Sequence, residues 1–332
     1  MKQITKTLAG GIVAGVLLAG AITGASAQDD IRIGAMREGT SWYVFAATLE
    51  QMLEPELEGA GVEVIARGGG VANPMVVQNG DAEIALSNVA TAVWAHNGHD
   101  MYEGASAPDI RALVGGLNTV HVGVMVRNDY IGRRGTDNLA ELLGGDVPVR
   151  VIYKPTGSSA VPAAHMIMES VGTSPDAIKA NGGEIIQVAT PQIPEVIRDG
   201  KADLYIDTII KGHPTITEVS LTGDVTFVDL PQETLDLLAR NGLKPGEYGP
   251  WFDGQSGANT GADLGTVLIA HKDLDEETAY QITKTLIENA EKLGEAHAAW
   301  ANFDPEQAFK SENLGIPLHS GAERYYKERG WM

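Results

Sequence analysis

The sequence predicts an α/β protein of two lobes, each a mostly parallel sheet flanked by helices, with a hinge between them. Two β-α-β-α-β units repeat along the chain, a strand-rich stretch lies between them, and a strand and a long helix follow the second unit. The first unit opens with "IRIGAMREGTSWYVFAATLEQML" (31–53), the second with "VRVIYKPTGSSAVPAAHMIMESVG" (149–172). Each reads as a β-rich run, a Gly/Thr/Ser turn and an apolar-faced helix, carried by Phe45, Leu49, Met52 and Leu53 in one and by Val161, Ala164, Met168 and Val171 in the other.

Second strands follow at 62–66 and 184–189. The next helices end in "QNGDAEIAL" (78–86) and "RDGKADLYI" (198–206), where Gly80 matches Gly200, Ala82 Ala202, Glu83 Asp203 and Ile84 Leu204, all 120 residues apart. A fixed offset across several landmarks points to two like units. Right-handed crossovers make each a parallel sheet, with ligands bound outside the carboxyl ends of the strands. The loops there are 36–43, 67–74 and 87–91, then 153–159, 189–194 and 207–214. Facing lobes would line one cleft with them. The strand-rich 110–127 can cross between lobes, and the strand 265–271 with the helix 276–293 can return. Two crossings make a hinge, the arrangement of a type II periplasmic binding protein. The expected division is a first lobe of 28–118, a second of 119–255, and a return to the first over 256–332.

Ahead of the first unit, Lys2 and Lys6 precede a small, apolar run from Leu8 to Ile22, and Ala25-Ser26-Ala27 ends it. This reads as a secretory signal peptide, 1–27, cleaved after Ala27. The run is shorter than the roughly 20 residues of a spanning helix. The expected product is a soluble periplasmic protein, with no Cys at the cleavage point to carry a lipid anchor. The chain has no Cys at all, which excludes disulfides, thiolate metal sites and Cys nucleophiles. A formal charge of −20 argues against a nucleic-acid partner.

The turn at 156–159 poses the main chemical question. A helix start leaves N–H groups unpaired beside a partial positive charge. Ser158 and Ser159 can cap that helix, or leave its donors to an anion. Lys154 stands beside them. The first lobe has a matching turn, Thr40 and Ser41 with Arg37 nearby, and Trp42 and Tyr43 can supply an apolar wall or simply pack. His213 falls in a cleft loop, and Asp207 before it can take a ligand's amino group or cap the next helix. His96 and His99 in "HNGHD" read as a polar loop rather than a metal site. There is no Walker A run, Gly68-Gly69-Gly70 lacks dinucleotide spacing, and "GQSGA" (254–258) is not a nucleophile elbow.

The ending "IPLHSGAERYYKERG" (316–330) resembles that of the TAXI-type solute receptors of tripartite ATP-independent periplasmic (TRAP) transporters. "GVANPMVVQNGDAEIALSNVATAVWAHNG" (70–98), "PTGSSA" (155–160) and "DGKADLYIDTIIKGHP" (199–214) resemble further blocks of that family, so the likeness runs through nearly all of 31–330. Three positions depart from it: the first loop is Met36-Arg37-Glu38-Gly39-Thr40-Ser41-Trp42-Tyr43, Asn88 stands where Asp is common, and Ser320 replaces a Pro.

The resemblance implies a receptor, not an enzyme. It would close on a small carboxylate such as glutamate or 2-oxoglutarate and deliver it to an ion-gradient-driven TRAP permease. It implies ligand contacts at Thr40, Ser41, Tyr43, Ser87, Asn88, Thr156, Gly157, Ser158 and Ser159. Local chemistry adds Arg37, Trp42, Lys154, Asp207 and His213, with Val71 from the 67–74 loop. His319, Tyr325 and Tyr326 read as structural. No cofactor or metal is expected. The alternatives are an ABC-type receptor for a thiamine-precursor-like or sulfonate ligand, and a periplasmic sensor that transports nothing.

Overall fold

The computed structural model describes residues 30–57, 59–145 and 147–332; the segment read as a signal peptide lies outside them. The first unit forms β1 (Ile31–Gly34), α1 (Ser41–Leu53), β2 (Val62–Ile65), α2 (Asn73–Gln78) and β3 (Ile84–Ser87). β1 pairs in parallel with β2 and β3. After α3 (Val89–Asn97) and β4 (Ile110–Val114) the chain crosses to β5 (His121–Arg127) in the second sheet. Two short helices follow, α4 (Asn128–Arg134) and α5 (Leu139–Leu143). The second unit then runs β6 (Arg150–Tyr153), α6 (Ala160–Ser170), an inserted α7 (Pro175–Ala180), β7 (Glu184–Ile186), α8 (Ile193–Arg198) and β8 (Leu204–Ile209). β6 pairs in parallel with β7 and β8, so the outer-centre-outer order β2-β1-β3 of the first lobe recurs as β7-β6-β8.

The second lobe continues with α9 (Pro214–Thr222), β9 (Val225–Val228), α10 (Gln232–Arg240), β10 (Lys244–Tyr248) and β11 (Asn259–Asp263). β11 lies beyond 256, yet it pairs antiparallel with β10 and β5, so the chain turns back later than the sequence suggested. Asp263 at its end explains the position. Its carboxylate accepts from Val120 N–H (2.6 Å) and Gly265 N–H (2.9 Å), tying the two crossings together. β12 (Val267–His271) then inserts antiparallel between β3 and β4, completing the first sheet as β2-β1-β3-β12-β4.

The helix expected over 276–293 is two: α11 (Glu276–Glu288) and α12 (Ala290–Ala296). At the junction the Asn289 side chain donates to Thr285 O (2.8 Å), competing with the helical backbone. α13 (Ser311–Leu314) and α14 (Ser320–Glu328) end the chain. The terminal motif is structural: His319 accepts from Gly321 N–H at the start of α14 (3.2 Å), and the Tyr326 hydroxyl donates to Leu113 O (2.9 Å).

Both units contain the same clamp. Arg32 binds Glu83 (2.6 Å) and the Gly80 carbonyl (2.8 Å). Arg150 binds Asp203 (2.6 Å) and the Gly200 carbonyl (2.7 Å). Each glycine has a left-handed φ, +71° and +67°, which turns its carbonyl toward the guanidinium without a Cβ penalty. The clamp fixes the first strand of each unit to the third at its amino end, and so sets where the opposite, carboxyl ends emerge. The second clamp is the drier, with side-chain exposure of 3% at Asp203 against 22% at Glu83.

Removing one partner of a dry pair leaves the other uncompensated. Asp203→Ala is expected to cost about 3 kcal/mol of folding stability and Glu83→Ala about 1 kcal/mol. Urea unfolding of the two variants checks the order; equal losses would mean that burial does not decide the clamp's worth.

Candidate functional site

The turns at the carboxyl ends of β1 and β6 face each other, and the lobes touch there. Gly157 O accepts from Val71 N–H (3.0 Å) and Ala72 N–H (3.4 Å). Thr215 Oγ1 donates to Gly39 O (3.0 Å), and Trp94 Nε1 donates to Asn241 O (2.8 Å). The first contact needs glycine: a Cβ on Gly69 would lie 2.7 Å from Gly157 O. Behind these contacts is a cavity. Met36, Thr40, Ser41, Trp42 and Gly70 line it from the first lobe and Val120 from the crossing. Lys154, Ser158, Ser159, Thr208, Ile210 and His213 line it from the second lobe. It encloses about 20 Å³, on the scale of one water, so a solute of several carbons enters only as the lobes part. A larger hollow of about 300 Å³ lies beside the hinge, lined by Lys211, Lys244, Asp263 and Glu312 among others. Its mixed charges and its distance from the helix heads make it the weaker candidate.

Each lobe contributes one capping hydroxyl and one spare hydroxyl. In the first, Thr40 Oγ1 accepts from Tyr43 N–H (3.3 Å) and donates to Arg37 O (2.7 Å), so it is committed to the turn. Ser41 Oγ and the Trp42 indole N–H are buried without a partner. In the second, Ser158 Oγ accepts from Ala160 N–H (3.2 Å). Ser159, the residue before α6, makes no side-chain cap. Thr40 and Ser158 thus correspond, as do Ser41 and Ser159, both pairs 118 residues apart.

The other expected contacts divide. Asn88 is fully buried, its amide N–H donates to Gly265 O (2.8 Å), and its Oδ1 has no partner. Ser87 is turned into the fold, bonded to Asn88 O (3.1 Å) and Thr91 Oγ1 (3.3 Å). Val71 and Gly157 form the lobe contact itself. Arg37 and Thr156 are exposed and Tyr43 is half-buried, and none of the three lines the cavity. His99 serves its own turn, accepting from Met101 N–H (3.2 Å).

Asp207 takes neither of the roles open to it in the sequence. It is fully buried under Lys154, with Oδ1 2.9 Å from Nζ. It also accepts from the Tyr205 hydroxyl and from Thr208 N–H (2.6 Å). His213, not Asp207, caps α9, accepting weakly from Ile216 N–H (3.4 Å). His213 Nε2 lies 3.1 Å from Lys154 Nζ. A neutral imidazole has one acceptor nitrogen, and the shorter, charge-assisted contact to Lys154 has the stronger claim on it. Burial first, and then the charge on Lys154, holds the His213 pKa well below its ordinary value. Burial and then the Asp207 carboxylate push the Tyr205 hydroxyl up, so it stays a donor.

Sequence reading missed Met36, Gly70, Val120, Thr208 and Ile210. Thr208 and Ile210 fall inside the 207–214 loop and Gly70 inside a glycine run set aside for lacking nucleotide spacing. Val120 carries no local signal.

Because the folded pKa of His213 lies below the ordinary 6.5, the unfolded chain binds more protons once the pH falls under that value. Stability is therefore present above about pH 6.5 and declines below it. Burial also lowers His121, His165, His297 and His319, in the same sense. The melting temperature should drop between pH 7.5 and 5.5. His213→Asn, which keeps a capping acceptor but does not titrate, should flatten that slope by up to about 1.4 kcal/mol per pH unit. An unchanged slope would remove His213 from the titration.

Comparison with known proteins gives the family and the fold. MatC of Rhodopseudomonas palustris, solved with malate, superposes with a TM-score of 0.53 at 13% identity, covering 91% of this chain and 97% of its own. A Bordetella bronchiseptica protein gives 0.51 at 17% identity, with 91% and 89% covered. The alkanesulfonate-binding protein SsuA of Xanthomonas axonopodis pv. citri, bound to MOPS, gives 0.44 at 12%, with 90% and 93% covered. The architecture is that of type II periplasmic binding proteins. The profile of the NMT1-like family matches residues 33–330, and the chain belongs to that family.

Proposed function

We propose that the protein is an extracytoplasmic receptor that captures a small carboxylate between its lobes and delivers it to an ion-gradient-driven TRAP permease. One observation carries the first part. Among the described residues lining the cavity, Lys154 is the single charged side chain, and it stands among the spare donors of Ser41, Trp42 and Ser159.

Such a wall suits an anion and needs no catalytic group. Ser41 and Trp42 would donate from the first lobe. Ser159 and the start of α6 would act from the second, with Lys154 supplying the charge. Hydrogen bonds to a charged group contribute roughly 1.5–3 kcal/mol each. Both donor sets meet the ligand only when the lobes are together, so the ligand favours the closed state by that difference. Asp207 keeps the ammonium fixed and compensated in dry surroundings when no solute is bound.

Export and delivery rest on the sequence: the leader pattern at 1–27 and the likeness of 316–330 to TAXI-type receptors. No helix among the described residues is long and apolar enough to cross a membrane. MatC, a fold-mate solved with malate, is compatible with a carboxylate. Sulfonate oxygens would accept from the same donors, so the ABC-type reading is separated by assay.

A thermal-shift panel of amino acids, 2-oxo acids, C4–C6 dicarboxylates, aromatic acids and sulfonates tests the reading. A ligand at 100 times Kd stabilises by about 2.7 kcal/mol. A carboxylate hit is expected, with Ser41→Ala and Trp42→Phe each weakening it about tenfold or more. A sulfonate-only hit would transfer the protein to the ABC-type reading, and a hit indifferent to both variants would move the ligand elsewhere. Cellular uptake of the bound acid should stop on dissipating ion gradients and persist on depleting ATP; the reverse would exclude a TRAP permease.

A further inference from the structure

We propose that the ligand carries a hydroxyl or amino group besides its carboxylate, and that Asn88 reads this group from the space left by the missing side chain of Gly70. The inference rests on the carboxylate reading above and narrows it to hydroxy or amino acids.

Donors dominate the cleft, and Asn88 is the exception. Its side-chain amide orientation follows from chemistry. The end near Gly265 O must be the NH2, since a carbonyl cannot donate to a carbonyl, and that bond is 2.8 Å. Oδ1 therefore points the other way. It is buried and unpartnered, on a residue with 0% exposure. Its direction is fixed by Gly70: a Cβ added there would lie 2.4 Å from Asn88 Oδ1 and 2.8 Å from Ser159 Oγ. Gly70 and Ser159 both line the cavity. Two oxygens from opposite lobes thus flank one small space, which exists because residue 70 has no side chain.

The chemistry of that space is selective. Asn88 Oδ1 can only accept, whereas the Ser159 hydroxyl can accept or donate. A carboxylate, sulfonate or keto oxygen placed there would meet the lone pairs of Asn88 with no hydrogen between them. An O–H or N–H group would donate to Asn88 and still leave the Ser159 hydrogen for an acceptor on the ligand. The site's preference then follows from an acceptor that only a donor-bearing ligand satisfies.

Calorimetric titration of the full protein with matched acids tests this. The sets are malate, succinate and oxaloacetate; glutamate, glutarate and 2-oxoglutarate; lactate, propionate and pyruvate. In the set that binds, the hydroxy or amino member should bind about tenfold or more tighter than its deoxy and oxo partners. Comparing malate with aspartate then distinguishes hydroxyl from amino. Gly70→Ala, which fills the space, should remove the preference, and Asn88→Leu should remove it while retaining the deoxy acid. Should either variant fail to fold, the matched sets on the unaltered protein decide alone. Equal binding of all three members would overturn the inference and leave the carboxylate receptor standing. Binding of no acid would overturn both.

Discussion

The buried pair between Lys154 and Asp207, 2.9 Å apart and with side-chain exposures of 2% and 0%, sets the terms for everything else in the cleft. Moving either charge alone out of water would be prohibitive; together, with the Tyr205 hydroxyl and Thr208 N–H satisfying the carboxylate, they can stay. The consequences run outward from there. Asp207 is taken out of contact with any solute. His213 is kept neutral by burial and by the ammonium beside it. The cavity wall is left with a cation whose position does not depend on what is bound. Deleting Asp207 alone would therefore damage folding before it informed on binding, which is why the binding variants above are drawn from Ser41, Trp42, Gly70 and Asn88.

The pair also marks where the two lobes stop being copies. The arginine clamps are alike, Arg32 with Glu83 and Arg150 with Asp203. The helix heads are alike too, each with one capping hydroxyl and one spare. At the next matched positions the likeness ends: Met36 stands opposite Lys154, and Ser87 opposite Asp207, at the offsets that relate Arg32 to Arg150 and Glu83 to Asp203. Charge therefore belongs to the second lobe. The first lobe supplies the indole, a spare hydroxyl and the lone acceptor of Asn88. Neither face alone offers both a cation and an acceptor, and the complete set of bonding partners exists only across the interface.

How much of this could be read from the sequence depended on whether a feature was local. The two units, the glycine-serine turns and the return of the tail to the first sheet were legible, because each rests on a short pattern or on a fixed offset. The role of Asp207 was not. In β8 all six residues are buried, so the strand shows no alternation that would tell which way Asp207 points. What decides its partner is the pairing of β6 with β8, where Tyr153 lies opposite Ile206 and the next step brings Lys154 beside Asp207. That register is a property of the folded sheet. The end of the second lobe was misplaced for the same reason: β11 is recognisable as part of that lobe only through its pairing with β5 and β10.

Glycine was the most misleading signal. Three in a row at 68–70 invite comparison with phosphate loops, and the spacing rejects that comparison. The structure gives them different work. Gly69 lets the backbones of the two lobes meet, since a Cβ there would strike Gly157 O at 2.7 Å. Gly70 instead leaves room between Asn88 and Ser159. Adjacent residues of one type thus serve closure and recognition separately. A side chain at 69 would hold the lobes apart whatever the solute, whereas one at 70 would obstruct only the part of a solute that reaches Asn88. The proposed discrimination among acids is accordingly a matter of shape at one Cα and of hydrogen-bond polarity at one oxygen, and it can change without altering the charge or the fold of the cleft.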